Sequence, residues 1–67
     1  MNALPFVSIA TPTKNAAKTL GACLRSIRAQ EYPKNKIELI VADAASTDRT
    51  RVIARQYGAQ VVDNLLQ

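Results

Sequence analysis

The chain alternates between short continuous apolar runs and longer stretches of helical period, and few folds accept that order. The clearest run is Ile37-Glu38-Leu39-Ile40-Val41-Ala42, nearly all apolar and rich in β-branched side chains. A strand covered on both faces has that character. Residues 4–10 read as an earlier strand, stopped by Thr11-Pro12-Thr13, because Pro12 offers no N–H to a ladder and holds Thr11 extended. Residues 16–30 between them read as a helix. Leu20, Cys23, Leu24 and Ile27 fall on one stripe, and Lys18, Arg25 and Arg28 lie mostly away from it. Thr13 or Asn15 is placed to cap its start, and Gly21 within it costs about 1 kcal/mol relative to alanine. Cys23, on the stripe, reads as core.

Tyr32-Pro33-Lys34-Asn35 is a turn. After the strand that ends at Asp43, residues 47–57 form a second helix, with Ser46 or Thr47 as its cap. Asp48 in its first turn suits the positive end of the helix dipole. Gly58 fits the left-handed position that closes a helix, and residues 59–62 read as a third strand. The order β-α-β-α-β predicts an α/β fold with a parallel sheet and right-handed crossovers. Three strands and two helices make half of a doubly wound sheet, with its edges uncovered.

Composition narrows the function. A chain of 67 residues is one small domain or part of a larger one, and at this size only ~60% of the unfolded surface is buried. Eleven residues are alanine and none is tryptophan, so the core is diluted. One cysteine and no histidine exclude an internal disulfide and an ordinary zinc set. No stretch approaches a membrane span, and the first residues lack the pattern of a signal peptide. Nine basic against five acidic residues give a net charge of +4. The basic residues are dispersed, with neither the stripe nor the aromatic platform of a nucleic-acid binder, so no nucleic-acid partner is expected.

In open α/β sheets ligands bind outside the carboxyl ends of the strands, which points to residues 11–15, residues 43–47 and the tail from Asp63. No Gly-x-Gly-x-x-Gly or Gly-Lys-Ser/Thr follows either of the first two strands, so a dinucleotide fingerprint and a P-loop are both missing. Asp43, a charge at the exit of a buried strand, is placed to accept hydrogen bonds from a ribose or from a base N–H. A capping or solvated loop aspartate is the competing reading, and the substitution Asp43→Asn separates the two. Lys14 is placed to reach a phosphate, against the plainer reading of a solvated loop lysine. Asp48 reads as a cap and not as half of a metal pair with Asp43.

Taken together, several segments resemble the amino-terminal part of a family 2 glycosyltransferase of the GT-A fold. They are Val7-Ser8-Ile9-Ala10-Thr11-Pro12-Thr13-Lys14-Asn15, Leu24-Arg25-Ser26-Ile27, Gln30 with Tyr32-Pro33, Ile40-Val41-Ala42-Asp43-Ala44-Ala45-Ser46-Thr47-Asp48-Arg49-Thr50, and Ala54 with Tyr57-Gly58-Ala59. The resemblance covers nearly the whole chain and implies a Rossmann-like half-sheet, residues 1–67, within a nucleotide-sugar-binding domain of which this is a truncated form. It implies transfer of a sugar from a UDP- or GDP-sugar to an acceptor hydroxyl, with a divalent metal, Mg or Mn. Pro12, Thr13 and Asn15 match the segment that lines the nucleotide pocket, with Lys14 between them. Asp43 matches the first aspartate of an Asp-Asp-Gly-Ser segment that contacts base or ribose, and Ser46, Thr47 and Asp48 match the opening of the second helix.

The sequence departs from that pattern at Lys14, where an aromatic is common, at Ala16, where a glutamate is usual, and at Ala44 and Ala45, which replace an aspartate and a glycine. No Asp-x-Asp occurs, so no metal ligands or catalytic residues are assigned, and the isolated chain is expected to be inactive and prone to self-association. The resemblance implies a cytoplasmic location, with any membrane association carried by other regions. A non-catalytic nucleotide-binding or interaction module that dimerises through its sheet edge is the alternative reading.

Overall fold

A computed structural model describes residues 4–64. Strand β1 is Val7–Thr13, helix α1 Ala17–Arg28, strand β2 Ile37–Asp43, helix α2 Thr50–Gln56 and strand β3 Gln60–Asp63, with one 3-10 turn at Lys34–Lys36. The sheet order is β1-β2-β3 and both pairs are parallel, Val7 opposite Ile37 and Val41 opposite Val61. The chain is therefore α/β with the alternating order read from its sequence.

Strict alternation along the strands separates the two faces of the sheet. On β2, Leu39, Val41 and Asp43 are buried, while Glu38, Ile40 and Ala42 between them are partly open. Leu39 and Val41 pack with Leu20 and Leu24 of α1, Ala54 of α2 and Ala59, and Ile9, Ile27, Ile53, Tyr57 and Val61 close the core around them. Both helices lie on this one face, since a side chain added at Gly21 of α1 would touch Ile53 and Tyr57 beside α2 at 3.8–3.9 Å. The other face carries Ser8, whose hydroxyl donates to Glu38 at 2.8 Å, and exposed Val62.

Both ends of β1, α1, α2 and β3 differ from expectation by one to three residues, and three of the differences have a local reason. Strand β1 runs on through Pro12 to Thr13. The Thr13 carbonyl accepts from the Ala44 N–H at 2.9 Å, so Pro12, one residue earlier, turns its missing donor away from β2, as proline in an edge strand does. Helix α1 is shorter than residues 16–30, and Cys23 is exposed, not core. The α1 face bearing Gly21 and Arg28 turns toward α2, which swings the buried arc off Cys23. Helix α2 begins at Thr50 instead of residue 47, because the residues before it are held by side chains of the neighbouring loop.

Closure of α2 follows the expected chemistry. Gly58 adopts φ 78°, and a Cβ there would lie 3.1 Å from Nη2 of Arg28. That guanidinium donates to the Tyr57 carbonyl at 3.1 and 3.3 Å, so α1 caps the carbonyl end of α2.

Candidate functional site

The carboxyl ends of β1 and β2 lead into two loops that are fastened to each other. Asn15, at φ 49°, donates its N–H to the Ser46 hydroxyl at 2.7 Å. Its side-chain Oδ1 accepts the Thr47 N–H at 2.8 Å. Asparagine tolerates the left-handed region better than most residues, and here its amide oxygen also takes a backbone donor from across the rim. Ala45 is left-handed as well, at φ 52°, without such compensation.

Helix α1 has no capping side chain of its own, so neither Thr13 nor Asn15 caps it. Its free donors are taken from the other loop: Ala16 N–H goes to the Thr50 hydroxyl at 2.8 Å and Ala17 N–H to Asp48 Oδ2 at 3.1 Å. Asp48 Oδ1 accepts from the Thr50 N–H at 2.9 Å and from the Thr50 hydroxyl. One carboxylate thus serves the start of both helices, and Ser46 and Thr47 do not cap α2. The Thr50 hydroxyl bond leads in holding Asp48 below the usual aspartate range, aided by the Thr50 and Ala17 amides against some desolvation. Thr50 itself is fully buried.

Asp43 occupies the centre of the rim and is 0% exposed. Its Oδ1 accepts from the hydroxyls of Thr13 at 2.6 Å and Ser46 at 2.5 Å. Its Oδ2 accepts from the Ser46 N–H at 2.9 Å and from Arg51 Nε at 2.8 Å. Burial alone would raise its pKa, yet the bonds from Ser46, Thr13 and Arg51 outweigh burial and hold the carboxyl well below the ordinary range. Four donors use the two oxygens fully. Asp43 is thus a fully enclosed carboxylate whose partners in this structure are all supplied by the protein itself.

Arg51 continues the network outward, donating from Nη2 to Asp63 Oδ1 at 2.8 Å. Asp63 first and Asp43 second raise the guanidinium pKa further. The Asn64 N–H donates to the Asp43 carbonyl at 2.9 Å, so the exits of β2 and β3 are joined twice. Sequence reading missed Arg51, which stands eight residues from Asp43 with no local pattern to link them. Of the residues singled out, Pro12, Lys14 and Asn15 lie exposed on the lip, while Thr13 and Asp43 are buried beneath it.

Among the described residues no three ligating side chains gather around a possible metal position, and no helix is long and apolar enough to cross a membrane.

In sequence and fold the chain is similar to known proteins. Residues 8–64 match the model of glycosyl transferase family 2. The chain is 45% identical over 62 residues to glycosyltransferase AglE of Haloferax volcanii, covering 92% of this chain and 20% of that protein. It is 42% identical over 57 residues to a 4,4'-diaponeurosporenoate glycosyltransferase of Staphylococcus aureus, covering 85% of this chain and 14% of that protein. Among solved structures it superposes on mannosyltransferase PcManGT from Pyrobaculum calidifontis, in complex with GDP-Man and Mn2+, with a TM-score of 0.79 and 31% identity. That match covers 94% of this chain and 20% of the other. Glucosyl-3-phosphoglycerate synthase from Mycobacterium tuberculosis, in complex with Mn2+, UDP and glucosyl-3-phosphoglycerate, gives a TM-score of 0.69 and 32% identity over 88% of this chain and 21% of that one. The chain thus spans about a fifth or less of the length of these relatives.

Proposed function

The chain belongs to glycosyl transferase family 2, and on that premise we propose that it is the donor-nucleotide-binding part of a GT-A transferase domain, one that moves a sugar from a UDP- or GDP-sugar to an acceptor hydroxyl. The observation that carries this reading is the likeness, at TM-score 0.79, to a mannosyltransferase held with GDP-Man and Mn2+. The likeness to a synthase held with UDP supports a uridine donor on the same footing. In this reading Pro12, Lys14 and Asn15 face the ligand. Thr13 and Asp43 position them from below, through Ser46.

A divalent metal is the family's expected partner, and both solved neighbours hold Mn2+. The described residues of this chain do not fit one. Asp43 is closed in by Thr13, Ser46 and Arg51, Asp48 is turned to two helix starts, and Asp63 pairs with Arg51. The chain's own contribution is therefore binding and orientation. Transfer needs a base for the acceptor hydroxyl and a cation for the leaving diphosphate. The absence of Asp-x-Asp from the sequence supports a chain that binds donor without turning it over.

Calorimetric titration of the purified chain with UDP and GDP, with and without manganese, tests the reading. Saturable binding of either nucleotide is expected, and no binding of both would overturn it. Sugar release from a UDP- or GDP-sugar above a protein-free blank would overturn the inactivity.

A second reading is favoured by the outer edges of β1 and β3, which pair with no other described strand. Open edges invite pairing between chains, so a non-catalytic module that dimerises there is the competing function. A concentration-dependent dimer that ignores nucleotides is its signature.

A further inference from the structure

The two fastened loops carry an unbalanced set of side chains. Each aspartate at this end of the sheet is already engaged by donors of the chain itself: Asp43 and Asp63 by Arg51, and Asp48 by the Ala17 and Thr50 amides. The cations of the same loops are not. Lys14 in the first loop and Arg49 in the second are both exposed, and neither side chain makes an ion pair or hydrogen bond among the described residues.

Aromatic surface is missing from this end too. The sequence holds one phenylalanine, two tyrosines and no tryptophan, and all three rings lie elsewhere. Phe6 precedes β1 at the opposite end of the sheet. Tyr32 sits at that same end, its hydroxyl donating to the Pro5 carbonyl. Tyr57 lies against Gly21 at the far end of α2. No described ring is available for a base to stack on.

From this pairing of free cations with absent rings, we infer that the rim holds a nucleoside diphosphate chiefly through its phosphates, by Lys14 and Arg49, and discriminates weakly between bases. The inference rests on the donor-binding reading above and deepens it. The bonds of Asn15 to Ser46 and Thr47 keep together the two loops that carry Lys14 and Arg49. An exposed cation attracts a phosphate with a strength that falls as salt rises.

The test is a titration of wild type, Lys14→Met and Arg49→Met with UDP, GDP, uridine and inorganic pyrophosphate, each at low and at physiological salt. UDP and GDP are expected to bind within about threefold of each other, and uridine at least about tenfold more weakly than UDP. Pyrophosphate should compete with both nucleotides. Each substitution should weaken UDP and GDP alike by about fivefold, the scale of a solvent-exposed ion pair, and leave uridine unchanged. Both positions are exposed and unpartnered, so far-UV circular dichroism should match wild type. Uridine binding as tightly as UDP would overturn the inference, as would nucleotide affinities unmoved by either substitution; in both cases donor binding itself would stand. A failure of every nucleotide to bind would remove the donor-binding reading and this inference together.

Discussion

Asp43 and Arg51 meet at 2.8 Å, the carboxylate with no exposed surface and the guanidinium side chain still 31% exposed. Charge is thus carried from the buried centre of the rim to its surface through one side chain, which ends on Asp63.

Replacing Asp43 with asparagine should unfold the rim before it changes any ligand contact. With its one acceptor oxygen turned to the Ser46 N–H and Arg51 Nε, an amide leaves its NH2 to the Thr13 and Ser46 hydroxyls, which must reverse from donors to acceptors. The negative charge that Arg51 faces is lost as well. Breaking a buried charged network of this kind costs about 3 kcal/mol, so Asp43→Asn should lower the urea midpoint sharply. An unchanged midpoint would return Asp43 to the role of a ligand contact.

Acid should act through the same network. Asp43 and Asp48 both titrate below their ordinary value of 3.8 in the folded chain. The unfolded state therefore takes up protons first as pH falls, and folded stability declines in that direction. Stability from these groups should be complete near neutrality, start to fall around pH 4, and keep falling through the lower folded values. Urea midpoints measured from pH 7 to pH 2.5 should trace that decline, with a shallower slope in Asp43→Asn. A flat profile would contradict the buried ionised carboxylate.

Gly21→Ala should stabilise the protein. The added methyl would sit 3.8 Å from Ile53 Cγ2 and 3.9 Å from the Tyr57 ring, ordinary contact distances. Removing glycine from a helix interior gains about 1 kcal/mol. Thermal unfolding should move up by several degrees, and a downward shift would mean that the two helices lie closer than described.

Ala45→Gly should also stabilise, by about 0.5–1 kcal/mol, since it relieves a left-handed alanine but frees the unfolded chain. The resemblance to the family already marks this position as one where glycine is usual, and φ 52° supplies the reason. Chemical denaturation of the two forms side by side decides it, with equal midpoints as the contrary result.

Much of the architecture could be read from residue order, and the reasons are local. Ile37 to Ala42 is too apolar and too branched to be anything but an interior strand, and Gly58 stands where a helix needs a left-handed residue. Cys23 could not be placed, because the edge of a helical stripe turns inward or outward according to where the next helix packs. Asp43 was legible as important but not as buried. A charge reads as solvent-seeking until its four donors are in view, and those come from three separate segments. The capping of α1 by Thr50 and Asp48 leaves no trace in the residues around Ala16.

The ties between the two loops join residues 31 to 34 positions apart. Local contacts alone cannot form them, and closing so long a span precedes any gain from it. β1 and α1 both precede Asp48 and Thr50 in the chain, and without those two residues the start of α1 is uncapped. The lip formed by the two loops consequently takes shape only with the docking of α2. A chain that lacks α2 therefore lacks the lip too, because the ties that shape it end on Asp48 and Thr50 as well as on Ser46 and Thr47.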